Sequence, residues 1–119
     1  MAKQILLIDD DENILEFVQQ TLEYEGYDIQ TGADGSRLRQ LKRNELPDLI
    51  LLDVQLGGED GRMLCRQLKA NDATRDIPII LYSARETASQ IRKEGCADDF
   101  LAKPFSLTTL IEKVHQMVT

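Results

Sequence analysis

The chain has 119 residues, 42% of them hydrophobic and 29% charged, which fits one globular domain large enough to bury a core. A formal net charge of −7 argues against binding nucleic acid through this domain, and no apolar run approaches the roughly 20 residues needed to span a bilayer. Met1-Ala2-Lys3-Gln4 runs straight into a short apolar segment, unlike a signal peptide, so a cytoplasmic protein without membrane association is expected. Cys65 and Cys96 show no CxxC spacing and fall in separate elements, so both are read as ordinary reduced thiols.

Strand and helix signals alternate along the chain. Ile5-Leu6-Leu7-Ile8 is a continuous apolar run, the pattern of a strand buried on both faces. Ile14, Phe17, Val18 and Leu22 have helical spacing and predict a helix over residues 13–25, stopped by Gly26. Residues 27–31 alternate apolar and polar, as an edge strand does. A second helix is expected over residues 34–44, with Leu38 and Leu41 inward and Arg37, Lys42 and Arg43 outward. Pro47 separates it from a third strand over residues 48–52. Gly57-Gly58-Glu59-Asp60-Gly61 reads as a loop feeding a helix that runs to about Ala70, with Leu64, Cys65 and Leu68 on its apolar side. A fourth strand over residues 77–82, a short polar helix over 86–94 and a fifth strand over 99–102 follow. The last helix is capped by Ser106, with Leu107, Leu110, Ile111 and Val114 inward. Right-handed crossovers place helices on both faces of one parallel sheet. The expected fold is therefore α/β, a doubly wound (βα)5 unit of flavodoxin-like type with strand order 2-1-3-4-5.

Each apolar run stops at a residue suited to chemistry. The first stops at Asp9-Asp10-Asp11, the third at Asp53, the fourth at Ser83-Ala84 and the fifth at Lys103-Pro104. In a parallel sheet the strand ends share one edge, and ligands bind there, outside strands 1 and 3. Each residue alone has a plainer reading: Asp11 as a helix N-cap, Ser83 as a cap, Lys103 as a solvated surface lysine. The four sites together, at four strand ends, point to a pocket for a hard divalent cation and a phosphoryl group. Three carboxylates carry about −3 and a divalent cation with Lys103 returns about +3. His115 is the sole histidine and takes a structural or surface role, so Ser-His-Asp and Cys-His chemistry have no support. Neither GxxxxGK[ST] nor GxGxxG occurs.

These segments resemble the receiver domain of bacterial two-component response regulators, of the single-domain, chemotaxis-regulator-like kind. The matching pieces are Ile5 through Asp11, Asp48 through Val54, Asp60-Gly61, Pro78 through Ala84, and Gly95 through Phe105, so the resemblance covers residues 1–119 as one domain. It implies that Asp53 is phosphorylated from a phosphohistidine on a sensor histidine kinase or histidine phosphotransfer protein. It implies Mg²⁺ held by Asp9, Asp10, Asp53 and the backbone carbonyl of Gln55. It further implies that Ser83 and Lys103 grip phosphoryl oxygens, and that Ser83 and Phe100 form the switch. The result is a phosphorylation-dependent signalling switch acting on an output partner or domain, catalysing only its own phosphoryl uptake and slow loss, with no organic cofactor.

Gly57 stands where many relatives have proline, which suggests a more mobile loop after Asp53. Phe100 lacks the hydroxyl of the commoner tyrosine, and Gln55 and Arg85 occupy positions that tune phosphoryl lifetime in the family. The Lys103–Pro104 bond is expected to be cis. Phosphorylation is expected to reshape the surface of the fourth helix, fifth strand and fifth helix. The chain is expected to act alone or as the receiver of a longer protein such as a hybrid kinase, and its last helix lacks the arginine associated with the dimer face of winged-helix regulators. Two other classes share parts of the pattern. A flavin-binding electron carrier would need a Ser/Thr/Gly-rich loop after the first strand, the opposite of Asp9-Asp10-Asp11. An aspartate-nucleophile phosphohydrolase would carry DxD, and Asp53-Val54-Gln55 lacks its second acid.

Overall fold

Apolar side chains alternate to opposite faces of a strand, so a continuous apolar run demands cover on both sides. The computed structural model, which describes residues 2–84, 96–103 and 105–118, meets that demand with a five-stranded sheet. Its strands are β1 (Gln4–Ile8), β2 (Asp28–Gly32), β3 (Leu49–Asp53), β4 (Ile79–Ala84) and β5 (Asp99–Lys103). All pair in parallel, in the expected spatial order β2-β1-β3-β4-β5. Helices α1 (Glu12–Tyr24), α2 (Ser36–Arg39), α3 (Gly61–Ala70) and α4 (Leu107–Val118) flank it. The expected helix over 86–94, Arg85 and the Lys103–Pro104 bond lie outside the described residues.

The sheet divides the core in two. Ile8, Ile50, Leu52 and Leu81 pack with Leu38, Leu64, Cys65 and Leu68 of α2 and α3. Leu7, Leu49, Leu51, Ile80 and Leu101 pack with Val18 and Leu22 of α1 and Leu110, Val114 and Val118 of α4. Helix α1 begins where Asp11 accepts the amides of Asn13 (2.9 Å) and Ile14 (3.4 Å), the expected N-cap. It ends in a Schellman motif: Tyr27 N–H reaches the Leu22 carbonyl (3.1 Å), Gly26 N–H reaches Glu23 (3.0 Å), and Gly26 takes φ +96°. Ser106 caps α4 through the Thr109 amide at 3.1 Å.

Four expectations need correction. Helix α2 covers only Ser36–Arg39 and not residues 34–44. Continuing it would stack Arg39 against Lys42 and Arg43 at i+3 and i+4, like charges that destabilise a helix, for the burial of Leu41 alone. Leu107 is not inward, and Phe17, one of the residues at helical spacing, is exposed because Ile14, Val18 and Leu22, spaced by four, already fill the buried stripe. Leu107 opens α4, where Leu110 and Val114 are the residues that meet the sheet. The segment 57–61 is not all loop: Gln55–Leu56 pairs antiparallel with Glu59–Asp60. Gly57, at φ +61°, opens the two-residue turn between them, as in a type II′ hairpin. Finally, β3, β4 and β5 run one or two residues past their apolar runs, so Asp53, Ser83 and Lys103 are themselves strand residues.

Candidate functional site at the carboxyl edge of the sheet

Parallel register carries the strand ends to one edge. Ile8 lies beside Leu52, Asp53 beside Tyr82, and Ala84 beside Lys103. Asp9 continues β1 by one hydrogen bond, its amide donating to the Gly32 carbonyl at 3.0 Å. A cleft of about 770 Å³ opens there, lined by Asp9, Asp10, Asp53, Gln55, Arg62 and Lys103 among others.

Asp9, Asp10 and Asp53 each offer a carboxylate oxygen, all within 4.8 Å of one another. Asp9 is fully buried and Asp53 is 4% exposed, whereas Asp10 faces solvent. The Lys103 ammonium lies 3.3 Å from Asp53 Oδ2 and 3.5 Å from Asp9 Oδ2. The Gln55 amide donates to Asp53 Oδ1 at 3.3 Å. Burial, and then the neighbouring Asp9 charge, push the Asp53 carboxyl up from an ordinary 3.8 to about 6, against the opposing pull of Lys103. Three oxygen ligands with one balancing cation leave a deficit of positive charge, and an oxygen-only donor set suits a hard ion such as Mg²⁺.

The loop after Asp53 packs back closely on β3. Gly61 lies so close to β3 that a Cβ there would sit 2.1 Å from the Asp53 carbonyl oxygen, and its amide donates to the Val54 carbonyl at 2.7 Å. This is the physical content of the Asp60-Gly61 pair. Asp60 caps α3 through the Arg62 amide (2.9 Å) and is gripped by the Arg62 guanidinium at 3.1 and 2.9 Å, which holds its carboxyl below the usual range.

Of the residues expected at the site, Asp9, Asp10, Asp53, Gln55 and Lys103 converge on the cleft. Ser83 is buried in β4 beside Ala102 and is not among the cleft-lining residues. Phe100 is half-buried against the α2–α3 side of the core. His115 is exposed. Cys65 and Cys96 share one cluster as free thiols, and burial pushes the Cys65 thiol up.

Tyr82 is the residue that sequence reasoning missed. It is buried in β4, and its hydroxyl donates to Asp9 Oδ2 at 2.9 Å, with the Ile8 carbonyl 3.2 Å away. A signal was available: a buried tyrosine needs a partner for its hydroxyl, and this one ends an otherwise aliphatic run.

The profile of the response regulator receiver domain matches residues 5–115. The chain belongs to the response regulator receiver domain family. This receiver domain is 35% identical to the response regulator MprA of Mycobacterium sp. (strain KMS) over 121 aligned residues, which cover 99% of the chain and 51% of that protein. It thus spans about half the length of the curated relatives it matches. Among solved structures, a protein of Chloroflexus aurantiacus J-10-fl described as a response regulator superposes with a TM-score of 0.90 at 30% identity, covering 99% of this chain and 98% of that one. The receiver domain of a signal transduction histidine kinase from Syntrophus aciditrophicus gives 0.84 at 32%, covering 98% and 90%. The receiver fold and its place in two-component signalling are therefore established for this chain.

Proposed function

We propose that Asp53 is the phosphoacceptor of this receiver domain and that Asp9, Asp10, Asp53 and the Gln55 carbonyl hold Mg²⁺. The observation that carries this reading is the meeting, at the end of the central strand, of three acids within 4.8 Å and one ammonium 3.3 Å from Asp53. The donor is a phosphohistidine on a sensor histidine kinase or a histidine phosphotransfer protein. An Asp53 oxygen attacks phosphorus, the P–N bond breaks, and the imidazole leaves with the bonding pair. Bound Mg²⁺ supplies charge neutralisation at the phosphoryl oxygens. Lys103 moves from the two carboxylates to one phosphoryl oxygen, and the Ser83 hydroxyl takes another. Ser83 and Phe100 then pass the change to the surface read by an output partner or domain. The domain turns over only its own aspartyl phosphate and is not a conventional enzyme. Among the described residues no helix is long and apolar enough to cross a membrane, and a cytoplasmic setting fits a histidine-kinase donor.

Incubation with a small acyl phosphate, followed by intact-mass measurement, tests this reading. Wild-type protein gains one phosphoryl group only when Mg²⁺ or Mn²⁺ is present, and Asp53→Asn gains none while keeping its circular dichroism. Stable uptake of one phosphoryl group by Asp53→Asn would show that the acceptor lies elsewhere.

A further inference from the structure

Tyr82 touches both signs of charge in the acidic pocket. Its ring belongs to the α1–α4 side of the core, where Ile80 and Leu101 fill neighbouring positions with aliphatic groups. A phenylalanine ring would fill that packing without a polar atom, so packing alone does not explain the hydroxyl. That hydroxyl leaves the apolar cluster and reaches Asp9 Oδ2 at 2.9 Å. The other Asp9 oxygen accepts the Asp11 amide, also at 2.9 Å. Both oxygens of a fully buried carboxylate are thereby held from opposite sides, and the carboxylate is fixed in rotation. A bond from a hydroxyl to a charged acceptor is stronger than one to a carbonyl, so Asp9 and not the Ile8 carbonyl is the principal partner.

The ring has its own role. The Lys103 ammonium sits 4.9 Å from the centre of the Tyr82 ring, within cation–π range. Phe105 meets the same ring edge-on, at 6.0 Å and 78°, and limits its movement. Lys103 is thus held by two carboxylates and one aromatic ring. When a carboxylate releases it to a phosphoryl oxygen, the ring still keeps it near the pocket.

We propose that Tyr82 is a positioning residue of the pocket, its hydroxyl orienting Asp9 toward a bound cation and its ring steadying Lys103 for the incoming phosphoryl group. This rests on the phosphoacceptor reading above, and the experiment separates the two. Outer-shell partners that orient a metal-binding side chain are worth about 10- to 100-fold in affinity. Tyr82→Phe keeps the ring and deletes only the hydroxyl, so Mg²⁺ affinity measured by calorimetry should fall about 10-fold with the fold intact. The chain has no tryptophan and three tyrosines, so tyrosine emission is a built-in reporter. Tyr24 is largely exposed at the far end of α1, whose start at Asp11 lies by the pocket, and Tyr27 precedes β2 at the amino edge of the sheet, so neither faces the pocket. Addition of Mg²⁺ should therefore change tyrosine emission in the wild type and leave it unchanged in Tyr82→Phe. Tyr82→Leu removes the ring as well and should slow acyl-phosphate labelling below the Tyr82→Phe rate at saturating Mg²⁺.

A purely structural Tyr82 would lower the urea midpoint in Tyr82→Phe and leave Mg²⁺ affinity unchanged, and that result overturns the proposal. Equal labelling rates for the Phe and Leu variants overturn the part assigned to the ring. If Tyr82→Leu does not fold, Tyr82→Phe still decides the part assigned to the hydroxyl. Absence of any Mg²⁺ binding by the wild type would sink the phosphoacceptor reading and this one with it. Normal wild-type binding with an unaffected Tyr82→Phe sinks only the role of Tyr82.

Discussion

Asp53 is held in a position that costs the metal-free protein stability. Its folded-state carboxyl titrates near 6 against an ordinary 3.8, because burial and Asp9 disfavour its charge. Between those values the folded state keeps a proton that the unfolded chain has lost. Its contribution to stability therefore falls as pH rises through that window and is constant above it. Carboxylates held low by their partners, such as Asp60, act in the opposite sense, so the effect must be read as a difference. The stability advantage of Asp53→Asn over wild type should grow from pH 4 to 6, reaching on the order of 1–3 kcal/mol at neutral pH without metal. Urea unfolding of both proteins across that range checks this, and a pH-independent difference would contradict it. Gly61 is a second pressure point. A methyl group there would overlap the Asp53 carbonyl, which is backbone in a central strand and cannot yield cheaply. Gly61→Ala should cost about 1–3 kcal/mol by overpacking and also lower the rate of acyl-phosphate labelling, because the strain falls on the strand that carries Asp53, the proposed acceptor. Full stability with full labelling would show that the loop relaxes freely.

The elements differ in what anchors them. Helix α4 buries Leu110, Val114 and Val118 against the sheet and exposes Leu107. Leu110→Ala should therefore cost about 2–5 kcal/mol, whereas Leu107→Ala should stay within about 0.5 kcal/mol. Denaturant midpoints for the two variants provide the comparison, and similar losses would mean that α4 docks with a different face. Helix α2 has the single buried residue Leu38 and ends after one turn. The hairpin after Asp53 has two residues per strand and is tied at its outer end by Glu59, which accepts the Gly35 amide at 3.0 Å and pairs with Arg39. Its Gly57-Gly58 turn is a hairpin signal in its own right, but strands of two residues each carry too little pattern to read as strands, so its sequence reads as plain loop.

The molecule as a whole places an excess of acid at one edge of the sheet, which a bound divalent cation would relieve. A ligand that binds only the folded state stabilises by mass action, about 2.7 kcal/mol at a hundredfold excess over Kd. Mg²⁺ should therefore raise the melting temperature of the wild type, and a chelator should reverse the gain. Asp10 faces the cleft from solvent, whereas Asp11 spends its carboxylate on the amides of Asn13 and Ile14. Asp10→Ala should abolish most of the Mg²⁺-dependent gain. Asp11→Ala should lower stability by about 1 kcal/mol as a lost cap and leave the gain nearly intact. Equal loss of the Mg²⁺ effect in both variants would contradict this division of roles.

Much of this was legible in the residues themselves. Continuous apolar runs require a sheet covered on both sides, right-handed crossovers limit the ways to build it, and five βα repeats match the flavodoxin-like type, whose strand order the structure has. The positions of Asp9, Asp10, Asp53 and Lys103 at run ends followed from the same pattern, because parallel strands end together. What the chain order could not show is contact across the sheet. Tyr82 and Asp9 are 73 residues apart, and only the parallel register brings the phenol to the carboxylate. The same holds for the Gly61 approach to β3, for the ring beneath Lys103 and for the short α2, where local helical signals lost to charge repulsion and scant burial. Hydrophobic periodicity is a local property and survives in one dimension. Hydrogen bonds, ring contacts and close backbone approaches between distant segments exist only once the chain has folded.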